Sequence, residues 1–78
     1  MILSVHAKEE MLTDDISEEE VKQCLDFGRL ETTNCVNGEI RHAKRLDVKN
    51  KSVVVVYTFK DEETRVITVY ATRNKWQE

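Results

Sequence analysis

The sequence has no proline, only two glycines and two cysteines, and 6% aromatic residues. Each scarcity excludes something. A chain without proline and nearly without glycine is neither a flexible linker nor a low-complexity tract. Two cysteines, Cys24 and Cys35, make one disulfide at most, and neither belongs to a CxxC pair. They are expected as reduced, partly buried thiols, which together with the lack of a signal-peptide core points to the cytoplasm. Glycine-rich loops that cradle phosphates are missing, because the two glycines, Gly28 and Gly38, stand alone. No nucleotide or other cofactor is expected. The longest apolar run, Val53 to Tyr57, falls far short of the roughly 20 residues that span a bilayer, so no membrane association is expected. Neither sign of charge dominates: 12 Lys and Arg against 15 Asp and Glu give −3, which excludes a strongly basic nucleic-acid footprint over the whole chain.

What is present is one small domain spanning residues 1–78, with 40% apolar and 35% charged residues. A chain this short buries only about 60% of the surface it exposes when unfolded, so the core is thin. The clearest local signal is Ile16-Ser17-Glu18-Glu19-Glu20-Val21. Ser17 with Glu20 three residues on makes a capping box, and Ile16 with Val21 has the spacing of a hydrophobic staple. A helix is predicted from there to Phe27, with Val21, Cys24 and Leu25 buried and Gly28 ending it in a left-handed conformation. A shorter helix is predicted over Ser4 to Leu12, after a strand of two or three residues at Met1 to Leu3. Thr13-Asp14-Asp15 joins the two helices.

Beyond Gly28 the period changes to two. Leu30 to Cys35 alternates, Asn37-Gly38 is a hairpin turn signal, and Glu39 to Val48 forms the next strand. Lys49-Asn50-Lys51 turns again. Val53 to Phe59, apolar on both faces, has the character of a central strand covered on two sides. Asp61-Glu62-Glu63 makes the last turn before Arg65 to Thr72. These signals predict an α+β fold with two N-terminal helices packed on a four-stranded antiparallel meander sheet. Charge is uneven along it: Lys8 to Glu20 holds one Lys against seven acids, whereas the residues beyond Gly28 hold ten cations and seven acids.

Two histidines can move protons near neutral pH. His6 falls on the first helix, as a proton carrier or as a structural group at the helix–sheet seam. His42 lies on the second meander strand beside Arg41 and Lys44 and suits a surface or partner contact. His6 and Glu10 are one helical turn apart, but no motif supplies the third ligand that a metal needs, so no metal is expected. Cys24, on a buried helical face, is a poor nucleophile. Arg41, Arg45, Arg73 and Lys75 lie near Tyr70 and Trp76, a mixture of cations and rings that suits an RNA backbone with stacked bases, or equally the solvated face of a sheet.

His6-Ala7-Lys8-Glu9-Glu10-Met11, then Ile16 to Val21, Gly28, and the closing run Arg65-Val66-Ile67-Thr68-Val69-Tyr70 resemble a family of small prokaryotic domains of unknown function. It is known as domain of unknown function four-two-five-eight. That family is similar to RelE-like and BrnT-like toxins, so the resemblance implies a RelE-like helix-plus-sheet fold, metal-independent endoribonuclease activity, RNA as substrate and a small antitoxin as partner. It places His6 on the family's motif histidine and Tyr70 on its C-terminal tyrosine. These become the expected catalytic pair, with Arg41, Arg45 and Arg73 as phosphate ligands. Glu10 stands where the family has Arg, and Asp14-Asp15 replace Arg-Gly. The alternative expectation is therefore a degenerate toxin or a non-catalytic interaction domain, a homodimer paired through an exposed strand edge.

Overall fold

A computed structural model describes residues 1–73. The elements run β1 (Ile2–Leu3), α1 (Val5–Thr13), α2 (Glu18–Phe27), β2 (Arg29–Val36), β3 (Glu39–Val48), β4 (Lys51–Lys60) and β5 (Glu63–Arg73). The sheet has five strands in the order β1-β5-β4-β3-β2. Strands β2 to β5 form the expected antiparallel meander, but the sheet as a whole is not the four-stranded antiparallel one predicted. β1 joins it parallel to β5, with Ile2 opposite Arg65 and Leu3 opposite Val66, and makes the sheet mixed. Lys75 and Trp76, which the sequence suggested as part of a cationic surface, lie outside the described residues.

Both helices begin on serine caps. Ser4 Oγ accepts from the Ala7 N–H, and at Ser17 both halves of the capping box are formed with Glu20. Lys51 Nζ then donates to Glu20 Oε1 at 3.1 Å and to the Asp15 carbonyl at 2.7 Å, tying the start of α2 to the start of β4. The Glu20 carboxyl is held below its ordinary pKa, chiefly by the Ser17 N–H and then by the Lys51 ammonium.

The core lies between the helices and one face of the sheet. Ala7 of α1, Ile16, and Val21 and Cys24 of α2 pack against Val53, Val55, Tyr57, Val66 and Val69. Ile16 and Val21 are both buried there, consistent with the staple spacing. Burial pushes the Cys24 thiol up to about 11. Helices cover β4 on this side alone. On the far side Ser52, Val54 and Thr58 are nevertheless buried, with Val54 set in register between Arg45 of β3 and Tyr70 of β5.

Gly28 does not end α2 in a left-handed turn. It is extended, at φ −70° and ψ 162°, and its N–H donates to the Cys24 carbonyl before the chain enters β2 directly. The physical need for glycine here is space. A Cβ at this position would press on the Cys24 carbonyl and lie 3.0 Å from the Arg45 carbonyl. Left-handed backbone occurs instead at the turns, at Asp15, Asn37, Gly38, Lys49, Asp61 and Glu62.

Candidate functional site

The predicted site residues divide between the two faces of the sheet. Arg45 pairs with Val54 and Val54 with Tyr70, and Arg29 pairs with Arg45, so Arg29, Arg45, Val54 and Tyr70 form one row on the face away from the helices. Arg41 lies on the same face four residues from Arg45, lining a shallow hollow of about 290 Å³ with Glu39, Thr58 and Arg65. Arg73 does not join them. It stands opposite Lys51, and its guanidinium donates to the Asp14 carbonyl at 3.4 Å, on the helix side. His6 is also on the helix side. Its side chain is 61% exposed on α1, and its nearest charged partner is Glu10, with Nε2 and Oε1 4.0 Å apart. His6 and Tyr70 therefore do not share a concavity, nor does Arg73 share one with Arg41 and Arg45.

Three arginines of the far face are paired locally, whereas Arg65, opposite Thr58 on the same face, makes no ion pair among the described residues. Arg41 Nε donates to Glu39 at 2.8 Å, Arg29 lies 3.7 Å from Glu31, and Arg45 Nε donates to Asp47 at 3.3 Å. For Arg41 and Arg45 the spacing explains the pattern: residues two apart on a strand share a face, so each meets the acid one pleat away, while Glu31 reaches Arg29 from the register shift between Leu30 and Thr32. Arg45 also donates to Ser52 Oγ, which in turn donates to Asp47. Asp47 is held below its usual range by the Ser52 hydroxyl first and the Arg45 guanidinium second. These exposed pairs contribute little to stability, yet each sets a carboxylate beside Arg29, Arg41 or Arg45. Among the described residues no group of three or more His, Cys, Asp or Glu side chains could hold a metal ion, and no helix is long and apolar enough to cross a membrane.

A different site forms on the helix side, where α2 leaves part of the sheet bare. The Lys49-Asn50 turn sets Val48 opposite Lys51, and stepping back two residues at a time brings Leu46 to Val53, Lys44 to Val55 and His42 to Tyr57. α2 covers the first part of this ladder, with Cys24 Sγ on the Lys44 and Val53 carbonyls. Beyond it, His42, Tyr57 and Phe59 meet ring to ring, with centroids 5.4 Å apart for His42 and Tyr57, 6.1 Å for His42 and Phe59, and 5.6 Å for Tyr57 and Phe59. Tyr57 is buried, whereas Phe59 is 63% and the adjoining Ile40 55% exposed. Desolvation raises the Tyr57 hydroxyl above its ordinary pKa.

An open groove of about 480 Å³ runs beside these rings. Glu18, Lys22, Leu25 and Asp26 of α2 wall it, and Lys44, Tyr57 and Phe59 lie along its floor. Phe59 also borders a second hollow of about 600 Å³ with Asn37, Ile40 and His42. Two polar contacts fix the floor. Lys44 Nζ donates to the Leu25 carbonyl at 2.7 Å, satisfying an orphan acceptor in the last turn of α2, and stands 5.9 Å from the Tyr57 ring centroid. His42 Nδ1 is hydrogen-bonded to Thr33 Oγ1 at 3.0 Å, which orients the imidazole. The sequence singled out His42 as a partner contact but passed over Tyr57, Phe59 and Ile40. The signal for them lay in the turn at Lys49-Asn50, whose register places all four on one face.

The sequence pattern of the family described as Domain of unknown function (DUF4258) matches residues 3–71. No curated protein and no solved structure matches the chain.

Proposed function

Since the chain belongs to this family of domains of unknown function, its role has to come from its surface, and we propose that it is a non-catalytic protein-interaction domain. The groove between α2 and β4 takes an apolar anchor from a partner protein. The observation that carries this is Phe59, an aromatic side chain 63% exposed at the edge of a groove whose other ring, Tyr57, is already buried. Exposed large apolar residues that lie together mark recognition surfaces, and aromatic residues dominate the energetics of such sites. The polar wall of Glu18, Lys22 and Asp26 supplies the rim that a recognition pocket needs.

A second reading, a RelE-like ribonuclease with RNA on the far face, is favoured by one observation: Arg29, Arg45 and Tyr70 share a row. It fits less well. Phosphate would have to displace carboxylates from Arg29, Arg41 and Arg45, and the candidate proton carrier His6 lies on the other side of the sheet.

Co-purification of a tagged chain from its native cells separates the two. A stoichiometric partner retained by wild type and by Tyr70→Ser, and lost by Phe59→Asp, is expected. Loss with Tyr70→Ser but not with Phe59→Asp would overturn the groove as the binding surface, and growth arrest with cut transcripts relieved by Arg45→Ala would overturn the interaction reading in favour of the ribonuclease.

A further inference from the structure

The two edges of the sheet are treated differently. At the β5 edge several outward backbone groups are occupied. The Ser4 N–H donates to the Val66 carbonyl, Ser4 Oγ donates to the Ile67 carbonyl at 2.8 Å, and Asp14 Oδ2 accepts from the Ala71 N–H at 3.2 Å. Together with β1, these contacts interrupt the edge along much of its length and obstruct further pairing. At the other edge, β2 is exposed along its whole length, and among the described residues nothing hydrogen-bonds its outer backbone groups. The usual guards against edge pairing are concentrated at one end. Arg29 and Glu31 are charged, and the register shifts between Leu30 and Thr32. From Thr32 to Val36 the strand is regular and carries neither charge nor proline.

We infer that this segment pairs with the same segment of a second copy, antiparallel about a two-fold axis at Asn34. The centre follows from the segment itself. A two-fold pairing that uses all five regular residues must place Asn34 opposite its own copy, Thr33 opposite the partner's Cys35, and Thr32 opposite the partner's Val36. A one-residue shift would waste a pair at each end. The charged Arg29–Glu31 end then meets the partner's uncharged Asn37-Gly38 turn, so no like charges are forced together. A continuous ten-stranded sheet results. On its helix side Leu30, 53% exposed, and Cys35 border the junction, which extends the bare apolar surface of one copy toward that of the other. The dimer does not depend on occupancy of the groove at Phe59.

The register makes a sharp test. In a Cys35→Ser background, Asn34→Cys places two thiols directly opposite each other. Their Cα atoms are then about 4.5–5.5 Å apart, within disulfide range. Thr32→Cys places them four residues out of register, roughly 14 Å apart along the strands, beyond bridging. Mild oxidation of the full chain is expected to give a covalent dimer for Asn34→Cys and none for Thr32→Cys. Sedimentation of the wild type is expected at twice the 9.1 kDa chain mass. Asn34→Lys, which sets two ammonium groups face to face at a solvent-exposed position, is expected to shift the mass to monomer with an unchanged circular-dichroism spectrum. A monomeric wild type overturns the dimer. A dimer that survives Asn34→Lys, or that cross-links equally through both cysteine variants, overturns the β2 register. Phe59→Asp is expected to leave the dimer intact, so failure here and failure at the groove are read separately.

Discussion

Replacing Gly28 by alanine tests the packing of α2 against β3 through the sign of a stability change. The backbone there is extended, a conformation that alanine adopts freely. Were space available, Gly28→Ala would stabilise the fold by about 0.4–1 kcal/mol, because alanine restricts the unfolded chain. Space is not available. The added methyl would press on the Cys24 carbonyl and lie 3.0 Å from the Arg45 carbonyl and 3.2 Å from Cys24 Sγ. Two of these three neighbours are backbone and cannot rotate aside. Overpacking of this kind costs typically about 1–3 kcal/mol, so after the entropic gain the net loss is about 1–2 kcal/mol. For a domain of this size that lowers Tm by about 4–16 °C. Urea unfolding followed by circular dichroism would show a lower midpoint with an unchanged slope. Gly38 is the comparator. It has φ +81° and nothing within 4 Å of an added Cβ, so Gly38→Ala loses stability through backbone handedness alone, and Gly38→Asn recovers part of it. Gly28→Asn should recover nothing. A Gly28→Ala variant as stable as wild type, or more stable, would refute the close approach of α2 and β3.

Lys51→Met removes the ammonium from Glu20 and the Asp15 carbonyl and should destabilise the chain by about 1–3 kcal/mol at neutral pH, measured by urea titration. Because the Glu20 pKa is depressed in the fold, its contribution is present above the ordinary carboxylate value and lost as pH falls through the lower folded value. The acid limb of stability against pH should accordingly be shallower in Lys51→Met. At pH 8 Cys35, exposed on β2, should be alkylated by iodoacetamide within minutes. Cys24, buried and pushed up to about 11, should react only when the chain unfolds, as mass spectrometry of the quenched protein would show.

Much of the fold was legible because its signals are local. Ser17 and Glu20 announce the start of α2 within four residues, and Asn37-Gly38 sets the β2–β3 hairpin by backbone handedness. β1 was legible as a short strand but not as a parallel partner of β5. Two residues carry no period, and their partners Arg65 and Val66 lie more than 60 positions away. Gly28 was misread because glycine serves left-handed caps and tight approaches alike, and only the position of the Arg45 carbonyl separates them.

The site was less legible for a related reason. Alternation places Arg41, Arg45 and Tyr70 on strands, but which faces coincide depends on the register across two hairpins. The shift between Val56 and Tyr57 moves Val66 rather than Ile67 opposite Tyr57, a change that no pattern in the sequence marks. The groove depends further on how far α2 extends over the sheet, a property of packing rather than of any residue.

The most direct measurement is site-specific photo-crosslinking in living cells, with a benzophenone amino acid placed either at Phe59 or at Tyr70. Both positions are occupied by exposed rings, one beside the groove and one on the far face. A protein adduct from position 59, with none of nucleic acid from position 70, is the expected result. RNA captured at position 70, with no protein adduct at position 59, would contradict an interaction domain that works through its groove.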